Sequence, residues 1–385
     1  MQDHGAHLML ELFAMYAAAK LAAEVFTRLR QPAVVGEILA GVAVGPQVLG
    51  WVAPSETTHL LSELGVMFLM FGVGLETPPP ALLRVGARAA AVAALGVVVP
   101  FAAGWALMRL FGETGIQAAF VGAALVATSV GITARVLAEL GRLETQTARI
   151  ILGAAVIDDV LGLLVLAGVS SAASGALDWR ALGFTAALAL SFVAAVALIA
   201  APALNRAAPG IARLHTPWFA VAVVLLFGLA WAAALIGVAA IIGAFLAGMA
   251  LAEATGEEHA LHQQVRGATE LLVPFFLVNI GLQLDLHVFA QTQTLALALA
   301  LTLVAVLTKL VGCGLGAWGL GWRGVLQIGV GMVPRGEVGI VVAQIGLALG
   351  VIGQSLFGAV LFMACATTLI APPLLRPLYH GGPSR

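Results

Sequence analysis

The chain has 385 residues, of which 61% are hydrophobic and only 10% charged, with a formal net charge of -1. Ordinary soluble domains carry about 25% charged residues, so this composition excludes a compact soluble protein and describes an integral membrane one. The near-neutral balance, with no basic run, excludes a partner held by bulk charge, nucleic acid above all.

A helix that crosses a hydrocarbon layer roughly 30 Å thick needs about 20 apolar residues. Blocks of that length follow one another along the whole sequence, and none alternates as a barrel strand would. The expected fold is therefore an all-α polytopic membrane protein with about thirteen transmembrane helices. The opening "MQDHGAHLMLELF" lacks the positively charged region of a cleavable signal, so the first apolar block is expected to stay as a helix. The polar interruptions are too short to fold alone, so residues 1–385 are expected to form a single transmembrane unit with no soluble domain.

Basic residues recur at every second junction: Arg28 and Arg30, Arg84 and Arg88, Arg142 and Arg149, Arg206 and Arg213, Arg266, Arg323, then Arg376 and Arg385. The junctions between them, such as "FGETG" and "IGLQLDLH", carry acids and almost no Lys or Arg. By the positive-inside rule the N-terminus faces outward and the C-terminus the cytoplasm.

Two spans carry helix breakers at mid-depth. The first is "VATSVGITARV", broken around Thr128 to Thr133, and the second "GVGMVPRGEVGI", broken around Met332 to Gly336. Each freed backbone group costs several kcal/mol in lipid unless protein, water or an ion satisfies it. Small and polar residues also permit tight helix packing, which would explain one such span. Two, running in opposite directions, suggest inverted-topology repeats with two crossed discontinuous helices around a midplane ion site.

Between the two breaks lies "AAVIDDVLGLLVLAG", which sets Asp158 and Asp159 in an apolar stretch. An acid at the centre of a membrane costs about 2.5 to 3.5 kcal/mol on insertion scales, so such residues are functional by default. Adjacent positions lie about 100° apart on a helix, so the two carboxylates point different ways and do different jobs. That also argues against an intramembrane aspartyl protease, whose two acids must face one water. Lys309, in "AVLTKLVGCG", is the natural counter-ion for one of them. The other would face a cavity where a proton and a small cation compete for it, and that competition is enough to couple their fluxes. Hard cations prefer oxygen, which Asp159, Thr128, Ser129 and the freed carbonyls could supply.

Other buried charges admit simpler readings. Arg335 and Glu337 are candidates for a structural ion pair, and Glu76 reads as a helix-end carboxylate. Glu37 is a further acid inside a predicted span. Cys313 and Cys365 sit among apolar residues and read as packing. The eight histidines form no metal-ligand cluster. Asn279, in "FLVNIGLQLDL", brings a polar group into a span with no role assigned to it.

The segments "QPAVVGEILAGVAVGPQVLG", "ATSVGITARVLAELG", "RIILGAAVIDDVLGL", "AFLAGMALAE" and "GVGMVPRGEVGIVVA" resemble the bacterial monovalent cation:proton antiporters, most closely the NapA-type sodium/proton antiporters. They follow the family's order over nearly the whole chain. The resemblance implies a homodimer in the bacterial inner membrane, built of dimerisation helices and a mobile core that moves as an elevator. It implies no enzyme chemistry and no cofactor, membrane lipid as the surrounding partner, and sodium or lithium exchanged for protons. By motif, Asp159 looks like the sodium ligand, Asp158 like the carboxylate paired with Lys309, and Thr128 and Ser129 like neighbours of the ion path. In this family an Asp-Asp pair goes with electrogenic exchange. The alternatives are a potassium/proton antiporter and a sodium-coupled organic anion symporter.

Overall fold

A computed structural model describes residues 2–29, 31–77, 84–173, 179–211, 218–255, 259–283, 292–335 and 337–379. All regular structure in these residues is helical. The first half comprises α1 (Gln2–Arg28), α2 (Ala33–Val44), α3 (Glu56–Leu75), α4 (Gly86–Leu110), α5 (Gly115–Val126), α6 (Val130–Glu139) and α7 (Gln146–Ala173). Next come α8 (Trp179–Ala195), a π-helical turn (Val196–Ala200) and α9 (Ala201–Ile211). The second half comprises α10 (Trp218–Leu235), α11 (Ala240–Thr255), α12 (His259–Leu282), α13 (Thr292–Gly316), α14 (Gly321–Gly331), α15 (Glu337–Ala348) and α16 (Gln354–Tyr379).

Among the described residues, nine helical stretches are long and apolar enough to cross a membrane, while Ala33–Val44, Ala240–Ala252 and Gly339–Ala348 are apolar but shorter. Helix starts are written locally: Ser55 with Thr58 and Thr114 with Gln117 form reciprocal caps on α3 and α5, satisfying N–H groups that have no partner within the helix.

The helices pack in two sets. In one, α3 lies against α11 and α12, α2 against α1 and α12, and α10 against α11. In the other, α4 lies against α5, α7 and α13, and α13 against α14 and α16, with α15 beside α5 and α16. Between the sets run α3 against α6, α2 against α6 and α16, and the α8–α9 segment, whose first part packs on α7 and whose last part packs on α11. Close approach within the first set needs glycine. A Cβ at Gly41 would sit 2.0 Å from the Val278 carbonyl oxygen, and one at Gly281 would sit 2.1 Å from that of Ile38. Outward faces such as Phe13 and Leu21 of α1, or Val224 and Trp231 of α10, expose large apolar side chains, as lipid-facing surfaces do.

Candidate ion site

The breaks seen in the sequence are real interruptions. After α5 the backbone is extended at Ala127 and Ser129 before α6 begins. After α14 it leaves the helix at Met332 and resumes at Glu337, with Gly336 outside the described residues. The two interruptions meet: the Ser129 N–H donates to the Pro334 carbonyl at 2.8 Å, and the Thr133 hydroxyl donates to that of Gly331 at 2.6 Å. Pairing one break with the other satisfies part of the backbone that each leaves open.

The second break carries its own cation. Arg335 is fully buried, and its guanidinium donates to the carbonyls of Ala127 at 3.2 Å, Val126 at 3.5 Å and Ala305 at 3.3 Å. Two of these acceptors are the last carbonyls of α5, where the helix dipole presents partial negative charge and no intrahelical donor remains. The main chain of Arg335 is anchored by α16: its N–H donates to the Thr367 hydroxyl at 3.1 Å, and its carbonyl accepts from Thr368 at 2.7 Å. The side chain of Glu337 lies outside the described residues, so the ion pair expected there does too.

The first break is different. Thr128 and Ser129 are buried, yet neither hydroxyl oxygen has a hydrogen-bond partner among the described residues. A buried hydroxyl without a partner costs about 1 to 3 kcal/mol, so two together need a reason. Neutral oxygens of this kind are suited to a hard cation.

Beside the breaks, α7 presents the two carboxylates. Asp158 is fully buried, and Lys309 of α13, equally buried, donates to its Oδ1 at 3.2 Å and its Oδ2 at 3.3 Å. Asp159, one residue on, lines a cavity of about 10 Å³ with Met70, Val130, Leu152, Val156, Ile241, Ile242 and Phe245. That is about the smallest space able to hold one water. Its walls come from α3 and α11 of one helix set, from α7 of the other and from α6 between them, so Asp159 sits on the seam. Val130 ties the cavity to the first break, being the residue after Ser129.

A larger cavity, about 660 Å³, opens between α1, α3, α6 and α12 and is lined by Lys20, Glu76, Arg135, Glu139, His262 and Arg266 among others. It lies at the end of α6 that precedes Arg142, and Val73 and Leu69 on its wall flank the Met70 of the small cavity. Sequence reading passed over Arg135 and Glu139, an ion pair at 3.0 Å, because a charge at i and its opposite at i+4 looks like an ordinary helix-surface pair. Glu37 is buried on α2 with its Oε2 unpartnered. Asn279 is buried in α12 and lines neither cavity. Cys313 and Cys365 are free and buried. Among the described residues, no group of three or more His, Cys, Asp or Glu could hold a metal.

A membrane-embedded helical protein with touching helix breaks, buried acids and unpartnered oxygens at a seam belongs to the class of carriers that pass small ions between two helix sets. Residues 13–380 match the model of the transmembrane sodium/hydrogen exchanger family. The chain is 38% identical to the high-affinity Na(+)/H(+) antiporter NhaS3 of Synechocystis sp., with 98% of this chain and 90% of that protein covered. It is 37% identical to the Na(+)/H(+)-K(+) antiporter GerN of Bacillus cereus, covering 93% of each. It is 33% identical to a Na(+)/H(+) antiporter of Enterococcus hirae over 93% of this chain and 94% of the other. In fold it is similar to the sodium proton antiporter MjNhaP1 of Methanocaldococcus jannaschii, with a TM-score of 0.69 at 16% identity over 97% of this chain and all of the other. The chain belongs to the sodium/hydrogen exchanger family. These matches support the family as a whole and do not single out a NapA-type branch.

Proposed function

We propose that the protein is a secondary antiporter that exchanges sodium, and lithium with it, for protons across the bacterial inner membrane. The observation that carries this reading is the position of Asp159: a buried acid on the seam between two helix sets, one residue beyond an ion-paired neighbour, in a cavity also lined by Val130, which directly follows the unpartnered hydroxyls of Thr128 and Ser129. The names of the relatives support exchange of sodium for protons, and they favour it over symport with an organic anion.

The site's chemistry follows from a single carboxylate having two competing ligands. With a proton on Asp159 the site is neutral and the cation has lost its anionic ligand. With sodium bound, Thr128 and Ser129 contribute neutral oxygens and the proton has nowhere to sit. Either loaded form carries its charge compensated, which lowers the cost of moving the site through the membrane. Asp158 is not available for this exchange because Lys309 holds both of its oxygens. Arg335 fixes the carbonyl end of α5 so that this negative end does not draw the ion away from Asp159.

The two sets of helices support alternating access by an elevator motion, with α4, α5, α7 and α13 to α16 as the mobile core and α1 to α3 and α10 to α12 as the dimerisation scaffold of a homodimer. The larger cavity is then the cytoplasmic vestibule, in keeping with an outward N-terminus and a cytoplasmic C-terminus. Exchange is electrogenic because a second proton moves with each cycle: Lys309, the partner of Asp158, releases its proton as sodium binds at Asp159 and regains one as sodium leaves.

Reconstituted protein with Asp159→Asn tests the assignment: sodium-driven pH change in liposomes is expected to vanish. Persistence of that signal would sink the reading. Lys309→Gln should keep exchange but lose charge movement, and transport that stays fully electrogenic would contradict the role given to the pair. Running both assays in potassium as well as sodium decides between the cations named for the relatives.

A further inference from the structure

The pairing of Lys309 with Asp158 depends on space that neither residue creates. Lys309 projects from α13 toward α7 past α4, and α4 faces it with Gly96. A Cβ built at position 96 would lie 2.7 Å from the Cys313 Sγ, 3.4 Å from the Lys309 Nζ and 3.9 Å from its Cδ. Carbon–carbon and carbon–nitrogen contacts are best at about 3.5 to 4.0 Å, so the sulfur would have to move and the ammonium would be crowded.

The helices cannot separate to relieve this. One turn further along α13, a Cβ at Gly312 would meet the Leu95 carbonyl oxygen at 2.6 Å, and one at Gly316 would meet the Val92 Cα at 2.6 Å. Those are backbone contacts, which set the spacing of α4 and α13. At position 96, by contrast, the obstacles are the ends of two side chains. Cys313 stands one turn from Lys309 on the same face, so a displaced thiol has the lysine stem as its neighbour. A side chain at 96 would therefore act on the lysine and leave the helix spacing alone.

We infer that Gly96 is a positioning residue for the ion pair: the missing side chain holds open the slot through which the Lys309 ammonium reaches Asp158. The inference rests on the functional reading above, in which that pair keeps Asp158 out of the exchange. It assigns Gly96 no contact with the ion and no catalytic role.

The test uses full-length protein in proteoliposomes, with the variants G96A, C313A and G96A/C313A made both alone and in a K309Q background. Removing the Cys313 sulfur takes away the shortest contact, so the double variant is expected to fold and insert, as size-exclusion profiles would register. Its KM for sodium should differ from that of C313A by roughly threefold to tenfold, the lower part of the coupling range for residues in contact, with the maximal rate within about twofold. The shift should run in the same direction as that of K309Q. On the K309Q background, G96A should add nothing further. The inference is overturned by an unchanged KM, by a shift of equal size on the K309Q background, or by a double variant that fails to fold, which would make Gly96 a packing residue only. Failure of the broader reading is separate and visible in the same experiments, because exchange would then survive Asp159→Asn.

Discussion

The two helix breaks touch one another, yet one is tied through Arg335 and the other leaves two hydroxyls open. At the second, α16 clamps the Arg335 main chain through Thr367 and Thr368, and the guanidinium reaches Ala305 and crosses to the Val126 and Ala127 carbonyls of the first. At the first, the backbone leans on the second break through the Ser129 N–H, while the hydroxyls of Thr128 and Ser129 stay unpartnered. In the proposed mechanism the second break supplies a resident cation and the first keeps its hydroxyl oxygens for a cation that comes and goes. On that reading stability is concentrated at one interruption and ligand affinity at the other, although the two are in direct contact.

That division can be broken with substitutions whose effects differ in kind. The largest belongs to the acid beside the open break: Asp159→Asn should lower sodium-driven exchange by more than about 100-fold, the scale of losing one member of a buried charge interaction, with folding intact. Next comes the closed break. Arg335→Met should lower unfolding stability in detergent by about 3 kcal/mol, because it strips charge-assisted donors from buried carbonyls. Equal stability in that variant would show that the guanidinium does not hold the break together. Smaller and more telling is a pair of contrasts between hydroxyls. Thr128→Ala and Ser129→Ala should each weaken sodium binding by roughly threefold to tenfold at little cost in stability, since neither hydroxyl has a protein partner to lose. Thr368→Val should do the reverse, costing about 1 kcal/mol of stability while sodium affinity stays put. Were the two kinds of variant to behave alike, the distinction between the breaks would be lost.

Much of this was legible in the sequence. Long apolar blocks announce helices, and Asp158, Asp159 and Lys309 stand out because charge in such blocks is costly. Thr128, Ser129 and the "GMVPRG" segment announce breaks because their residues release backbone groups. What stayed hidden has a common cause. Arg335 spends its charge on carbonyls, which every residue possesses, so no sequence pattern marks those partners. Gly96 acts by lacking atoms, and among 45 glycines nothing singles out the one that faces a lysine. The seam at Asp159 is assembled from α3, α6, α7 and α11, a juxtaposition that only the packing of the two helix sets creates.

The central claim is that a proton and a metal ion exclude one another at Asp159. Calorimetric titration of the purified protein with sodium across a range of pH tests it most directly. On the acid side of the site's titration the apparent Kd for sodium should rise at least about tenfold for each unit by which pH falls, as linkage to the Asp159 proton demands. A sodium affinity that does not change with pH would contradict it.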